Sequence, residues 1–274
     1  ECIDTGVPLA QFGSTPLDSP AGQYQFLQGG SLDVQPESSE TKSFGIILQP
    51  PFAPGMSLTV DWFNIKIDDT ISTFGSQNTL DACYINNDAA ACSRINRTAG
   101  LGQLWLGDGH VVNTNINIGS LEAEGIDVNF GYSGVEIGRM GSLNFSLIGT
   151  YFDKLITEPG PGIEPYDCVG FYSSVCGTPT HEWRHLARVH WATPWDVDLS
   201  LGWRFYKSVR GINGANDPME ATRFDRNIPS ESYFDLSANW AVTEKANVVL
   251  GINNVLDDNP TLSGSVGTTG NGNT

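Results

Sequence analysis

The chain has 274 residues and a formal net charge of −17, from 14 Lys and Arg against 31 Asp and Glu. This charge argues against binding to nucleic acid and against polybasic attachment to a membrane surface, because both need clustered cations. The 31 Gly and 15 Pro, with 16% charged residues, favour an all-β protein with many turns. The sequence has no run of ~18 apolar residues, so no transmembrane helix is predicted, although barrel strands would leave only a weak alternating signal.

Segments in which apolar and polar residues alternate predict antiparallel strands along most of the chain. Residues 1–40 lack this periodicity and are predicted to form a loop. Strands are predicted at residues 44–50, 57–71, 125–132, 142–151, 183–191, 197–205, 234–240 and 246–253. Residues 72–120 form a long insertion, in which we expect a helical turn at 79–86 and a hairpin fragment at 105–112. Two further long loops are predicted at 157–179 and 209–231.

The five cysteines are Cys2, Cys83, Cys92, Cys168 and Cys176. Four of them form two close pairs, and neither pair has the C-x-x-C spacing of a zinc or redox site. Short-range pairs in loops rich in Gly and Pro favour the disulfides Cys83–Cys92 and Cys168–Cys176 and an oxidising compartment. The alternative is free thiols in a reduced protein. With both disulfides formed, Cys2 is expected to pair with a cysteine upstream of this sequence.

Residues 232–260 contain the clearest hairpin, since alternation on both sides of the polar break at 242–245 predicts two strands and a tight turn. The connections between the predicted strands are alternately long and short, and all five cysteines fall in long ones. Short turns at one rim and long loops at the other are typical of outer-membrane barrels. We therefore predict an antiparallel up-and-down meander of about eight strands, which is part of a large transmembrane β-barrel with long loops on one side.

Several of these segments carry motifs that, in this order, are similar to one known family. YFDLS at residues 233–237 and GINNVLD at 251–257 resemble the closing region of TonB-dependent outer-membrane receptors. GSLDVQPES at 30–38 is similar to the family's GN-x-x-L-x-PE-x-S segment, and LEAEGID at 121–127 resembles its G-I-D strand. The resemblance implies that residues 1–274 are the C-terminal portion of the receptor β-barrel, with the plug domain and the final strand outside the sequence.

The resemblance also implies active uptake of a scarce ligand, such as a ferric siderophore, cobalamin or a glycan, across the outer membrane of a Gram-negative bacterium. The expected partners are outer-membrane lipid, the small-molecule or glycan ligand, and the TonB complex acting through the plug. No enzyme activity, catalytic residue, cofactor, resident metal or nucleic acid is expected. Four candidate ligand contacts are chosen from the loops by side-chain type alone: Trp105, Tyr172, Arg210 and Arg223.

Two other classes stay open. Seven Trp and many Gly would suit a secreted β-sandwich that binds carbohydrate.

HEWRH at 181–185 matches H-E-x-x-H, which on a helix places two zinc ligands on one face and a glutamate as general base. Against a zinc protease, Trp183, Val189 and Trp191 follow period two, and a strand would hold His181 and His185 about 13 Å apart, too far to share a metal. Residues 183–195 also resemble the receptor family's W-R-x-x-L-R-x-x-W-x-T-P-W hairpin.

The two ends of the sequence lead to an expectation about completeness. Residues 263–274 form a Gly/Asn/Thr tract without apolar alternation, and the strand near Phe44 has no visible partner upstream. Open sheet edges leave backbone groups unpaired, and lipid cannot satisfy them. We therefore expect that these 274 residues alone do not close a barrel. Either the natural protein is longer at both ends, or the sequence is the resolved part of a larger chain.

Overall fold

The computed structural model describes residues 3–14, 17–173, 175–211 and 226–261. The chain divides into two compact units. The first, here called the loop unit, comprises residues 1–40, 66–121 and 157–166. The second, the sheet unit, comprises residues 41–65, 122–156 and 167–274. Cys2, Arg223 and the tract at 263–274 lie outside the described residues.

Strands dominate the described residues. In chain order the strands are β1 (Phe26–Gly29), β2 (Ser38–Leu48), β3 (Met56–Asp68), β4 (Ile71–Ser72), β5 (Ile95–Asn96), β6 (His110–Thr114), β7 (Ile116–Asn117), β8 (Ser120–Glu136), β9 (Ser142–Glu158), β10 (Tyr166–Asp167), β11 (Phe171–Tyr172), β12 (Trp183–Ala192), β13 (Val197–Tyr206), β14 (Val209–Gly211), β15 (Asn227–Ile228), β16 (Glu231–Thr243) and β17 (Ala246–Ile252). The helices are α1 (Ser76–Tyr84) and α2 (Ala89–Ser93), and short 3-10 turns occur at Leu9–Gln11 and Gly138–Met140. Within the described ranges no helix has the length and apolar character needed to cross a membrane.

The long strands lie in one sheet, in the order β2-β3-β8-β9-β12-β13-β16-β17, with β10 added to β9. Each long strand neighbours the next long strand along the chain, and the pairs from β9 to β17 are antiparallel. The predicted up-and-down meander is therefore confirmed. A β-sandwich needs two sheets packed face to face, so the sandwich alternative is wrong. Over the described residues the sheet is open, with β2 at one edge and β17 at the other.

The sheet has one apolar face and one polar face. Leu201 of β13 pairs with Val189 of β12 and Leu236 of β16, and the next row pairs Gly202 with Arg188 and Asp235. Because side chains directly opposite one another point to the same side, rows of apolar and polar residues alternate along the strands. Leu201 and Leu236 are 43% and 42% exposed although their strands are interior to the sheet. Such an exposed apolar face is typical of a wall that faces lipid.

The buried clusters lie among the connections rather than in the wall. In the loop unit, a cluster that includes Cys83, Leu104 and Val111 packs α1 and α2 against β5 and β6. The helical turn predicted at 79–86 is confirmed as α1. The hairpin predicted at 105–112 is wrong, because β6 begins only at His110 and pairs in parallel with β1. The prediction that residues 1–40 form only a loop is also wrong, because β1 lies within them.

Two disulfides join the close cysteine pairs. Cys83–Cys92 links α1 to α2 with a Cα–Cα distance of 4.7 Å, and Cys168–Cys176 closes a segment around β11 with a distance of 5.5 Å. Each bond lies within one long connection between strands of the sheet. A link over so few residues restrains the local connection rather than the wall.

Candidate functional site

A cavity of about 590 Å³ lies within the sheet unit, at the end of the strands from which the long connections leave. We call it the rim pocket. Its charged and polar lining comes from β12 and the residues before it, β13, β16 and the turn after β17: His181, Arg184, Arg204, Tyr206, Glu231, Tyr233, Asn254 and Asp258. The volume falls within the ~300–1,000 Å³ typical of small-molecule sites.

The register of the sheet places four of these side chains in a two-by-two block on the polar face. Tyr206 of β13 pairs with Glu231 of β16. In the next row on the same face, Arg204 of β13 pairs with Tyr233 of β16. Tyr206 also pairs with Arg184 on its other side. Arg204 and Glu231 therefore each have a tyrosine as cross-strand neighbour. All four side chains lie on the same face, because residues two apart in a strand point to the same side.

An ion pair fixes one side of the pocket. Arg204 donates from Nε to Asp235 Oδ2 at 2.9 Å and from its second terminal nitrogen to Oδ1 at 3.0 Å. Asp235 Oδ1 also accepts from the backbone N–H of Asn254 at 2.9 Å. Such a two-pronged pair orients the planar guanidinium as well as stabilising it. The turn after β17 is thereby fastened to β16, and through Asp235 to β13.

The turn itself is closed by Asn254, whose φ of 52° lies in the left-handed region that Asn tolerates better than most residues. Its Nδ2 donates to the carbonyl of Asp258 at 2.9 Å, and its Oδ1 accepts from the N–H of Asp258 at 3.2 Å. Val255 adds a backbone bond to the carbonyl of Phe234 at 2.7 Å. These bonds hold the Asp258 backbone at the pocket wall.

An imidazole and two phenols form a chain of rings along the pocket. The His181 ring lies 5.3 Å from that of Tyr206, which lies 6.5 Å from Tyr233. His181 Nδ1 contacts the carbonyl of Lys207, and because a carbonyl only accepts, Nδ1 carries the proton. Burial lowers the pKa of His181; the bond to Lys207 acts in the opposite direction, and the nearby Arg184 charge lowers the pKa further. At neutral pH His181 is therefore uncharged, with Nε2 as an acceptor.

Around the pocket the carboxylates outnumber the guanidinium groups by one. Arg184 and Arg204 carry two positive charges, whereas Glu231, Asp258 and the Asp235 that is paired with Arg204 carry three negative ones. Among the described residues Arg184 makes no ion pair, and its side chain is exposed. The pocket therefore offers donors and acceptors without a net positive field.

Of the four residues chosen from the sequence, the three that the structure describes do not line the rim pocket. The Tyr172 side chain is fully buried in a small cluster with Val209 and Ile228, away from the rim pocket lining, and its role as a ligand contact stays a prediction. Trp105 lies in the loop unit with its indole N–H buried and unpartnered. Arg210 is exposed, lies 5.4 Å from the Phe171 ring, and lines a separate cavity of about 520 Å³.

Arg223 lies outside the described residues. The pocket residues that sequence reasoning missed include Tyr233, Asn254 and Asp258, which all lie in or beside the motifs at 233–237 and 251–257. These motifs were the sequence feature from which the pocket residues could have been found. In the sequence they indicated only a family resemblance, and the register of the strands shows that they also lie around one cavity.

The H-E-x-x-H segment is not a helix. β12 begins at Trp183, so His185 is a strand residue, and its side chain lies on the apolar face opposite Phe205. The Trp183 indole donates to His185 Nδ1 at 2.8 Å, and the His185 ring lies 4.5 Å from Trp203. The helical zinc site is therefore wrong. That no zinc binds at His181 and His185 stays a prediction.

Comparisons with known proteins agree with this architecture. The family model described as "TonB dependent receptor-like, beta-barrel" matches residues 7–255. No curated protein matches the chain. Similar solved structures include a variant of the ferric enterobactin receptor PfeA from Pseudomonas aeruginosa in complex with enterobactin, at 12% identity and TM-score 0.55, covering 85% of this chain and 28% of that one.

Two further structures are comparably similar. The siderophore receptor PirA from Acinetobacter baumannii has 13% identity and TM-score 0.53, covering 84% of this chain and 29% of that one. The FrpB iron transporter from Neisseria meningitidis has 12% identity and TM-score 0.52, covering 85% and 29%. At these identities the likeness shows the fold alone, and the chain spans less than a third of each structure. The match of the family model over residues 7–255, however, shows that the chain belongs to the TonB-dependent receptor-like β-barrel family.

Proposed function

We propose that residues 1–274 are the C-terminal portion of the barrel wall of an outer-membrane receptor that takes up a scarce ligand in a Gram-negative bacterium. The TonB complex would supply the energy through a plug domain that is not part of this sequence. The observation that carries the proposal is the family match over most of the chain. Under this proposal the ligand is a ferric siderophore, cobalamin or a glycan, and outer-membrane lipid surrounds the wall.

The arrangement of the sheet supports the proposal. The meander exposes Leu201 and Leu236 on one face, as a surface in lipid requires. The opposite face carries the rim pocket, at the end of the strands where the long, disulfide-tied connections lie. A ligand captured there would lie on the inner side of a barrel wall. PfeA is a ferric enterobactin receptor, PirA a siderophore receptor and FrpB an iron transporter, which supports uptake of a small scarce ligand by a wall of this fold.

The test is ligand uptake by the bacterium that encodes the chain, in strains that differ only in the receptor gene. Labelled ferric siderophores, cobalamin and labelled oligosaccharides would be supplied separately at low concentration. We expect one of them to accumulate in the parent strain and to fail to accumulate in the receptor deletion, with recovery on complementation. A second deletion, of TonB, is expected to abolish the same uptake. Uptake of every probe that is unchanged in both deletions would contradict the proposed function.

A further inference from the structure

We propose that the rim pocket binds a neutral, polyhydroxylated group of mono- or disaccharide size. This inference rests on the proposed function and narrows its ligand class from three to one. It is carried by the charge balance, the arrangement of hydrogen-bonding groups and the rigidity of the pocket wall.

The charge balance disfavours a strongly anionic ligand. Arg184 is the pocket guanidinium without an acidic partner in the described ranges, since Arg204 is bound by Asp235 at 2.9 Å. An anion drawn to Arg184 would also face the carboxylates of Glu231 and Asp258. Like charges in one site disfavour the charged forms of both groups. A ligand without net charge meets no such penalty.

The arrangement of groups fits hydroxyls. In the two-by-two block, the charged corners Arg204 and Glu231 alternate with the phenols of Tyr206 and Tyr233. A guanidinium only donates and a carboxylate only accepts, whereas a hydroxyl does both. A row of ligand hydroxyls can therefore satisfy neighbouring donor and acceptor groups at once, which a group made only of acceptors cannot do. From Arg184 to Glu231 the row spans two strand spacings, roughly 10 Å.

Apolar surface accompanies these polar groups. Pro179, Ile228 and Pro260 line the same cavity. A sugar ring presents hydroxyls at its edge and C–H groups on its faces, so a pocket with both kinds of lining matches both kinds of surface. Small-molecule sites combine apolar walls with a few placed polar groups in the same way.

The polar groups of the wall are held in place before any ligand binds. Arg204 is oriented by both oxygens of Asp235, and Glu231 accepts from the Thr261 hydroxyl at 2.7 Å. The backbone of Asp258, from which its carboxylate projects, is held by the two bonds to Asn254. Preorganised groups lose little freedom on binding, which favours recognition of a small, weakly interacting ligand.

The inference is tested with the complete receptor, folded in detergent, by calorimetric titration and saturation-transfer NMR. The panel contains neutral mono- and disaccharides, glucuronate and glucose 6-phosphate as their anionic counterparts, glutamine as a zwitterion, ferric enterobactin and cyanocobalamin. We expect a neutral saccharide to bind most tightly. Tyr206→Phe and Asp258→Ala should each weaken that binding about tenfold, because each removes a hydrogen bond to a ligand hydroxyl that binding takes out of water.

The matched control is Arg188→Gln, compared with Arg184→Gln. Both arginines are exposed on the polar face of β12 and lie four residues apart, but only Arg184 lines the pocket. Arg184→Gln is expected to weaken saccharide binding severalfold, whereas Arg188→Gln, whose charge faces Asp235 outside the pocket, should change it by less than about twofold. Each variant is first checked for native mobility on a gel without heating, so that loss of folding is not read as loss of binding.

Two results would overturn the inference. One is an anion, the zwitterion, the ferric chelate or cyanocobalamin as the tightest ligand of the panel. The other is no saccharide binding up to about 10 mM. These outcomes are separate from failure of the proposed function. TonB-dependent uptake of a ferric chelate without saccharide binding refutes the pocket assignment alone, whereas saccharide binding without any TonB-dependent uptake refutes the transport proposal alone.

Discussion

Gly125 of β8 is the position at which we expect a single added methyl group to destabilise the wall most clearly. A Cβ at Gly125 would lie 2.4 Å from the carbonyl oxygen of Tyr151 and 2.8 Å from the Phe63 ring. The Phe63 ring is itself packed edge-on against Phe152, with centroids 6.1 Å apart. A side chain at position 125 is therefore excluded by lack of space rather than by backbone conformation. The motif EGID, at residues 124–127, has a glycine here because a neighbouring backbone approaches too closely for a side chain.

The magnitude follows from two opposing effects. Adding atoms to a filled site typically costs about 1–3 kcal/mol. Replacing Gly by Ala in a strand recovers roughly 0.5–1 kcal/mol of backbone entropy. Because the closest atom belongs to a backbone carbonyl, which cannot rotate away, we expect Gly125→Ala to lower the free energy of unfolding by about 2 kcal/mol. Gly131 is the matched control in the same strand, since nothing lies within 4 Å of its added Cβ, and Gly131→Ala should be neutral or slightly stabilising.

The assay is urea unfolding of the complete receptor in detergent, followed by Trp fluorescence and by the gel mobility of the folded form. With an m-value of about 3 kcal/mol/M, the Gly125→Ala midpoint should fall by roughly 0.7 M. The Phe63→Ala/Gly125→Ala double variant should stay less stable than Phe63→Ala alone, because the Tyr151 carbonyl remains. Equal midpoints for Gly125→Ala and Gly131→Ala would refute the reasoning.

Three further outcomes are expected. Asp235→Ala should lower the free energy of unfolding by about 1–3 kcal/mol, because the Arg204 guanidinium loses both acceptors; a urea midpoint like that of the wild type would contradict this. Since burial lowers the pKa of His181 in the folded state, the opened segment binds a proton more readily, and local stability should fall as pH drops below about 6.5. The protection factors of residues 178–182 against hydrogen exchange, corrected for the intrinsic exchange rate at each pH between 8 and 5.5, check this, and their fall below pH 6.5 should vanish in His181→Gln. Reducing Cys168–Cys176 should speed proteolysis of the enclosed segment, since closing a short loop contributes about 2–3 kcal/mol; an unchanged cleavage rate would speak against that restraint.

The sequence by itself determined the features that depend on neighbouring residues. Period-two alternation sets which side of a strand each residue occupies, so β12, β13 and β17 could be located to within one residue and β16 to within three. The same pattern favoured a strand over a helix at HEWRH, and the structure has β12 there. The close cysteine pairs could be matched by spacing, because each pair lies within one connection. Local chain geometry leaves few alternatives at such short separations.

Only the tertiary structure decided what comes from distant parts of the chain. The rim pocket joins Arg184 to Asp258, 74 residues apart, and no local pattern marks either as its neighbour. The parallel pairing of Phe26 with Val111 is equally remote, which is why β1 was predicted to be loop. Tyr172 was chosen for its phenol but is buried, because β14 and β15 cover it. Which face of a connection meets solvent depends on what packs against it, and that is fixed by contacts between segments far apart in sequence.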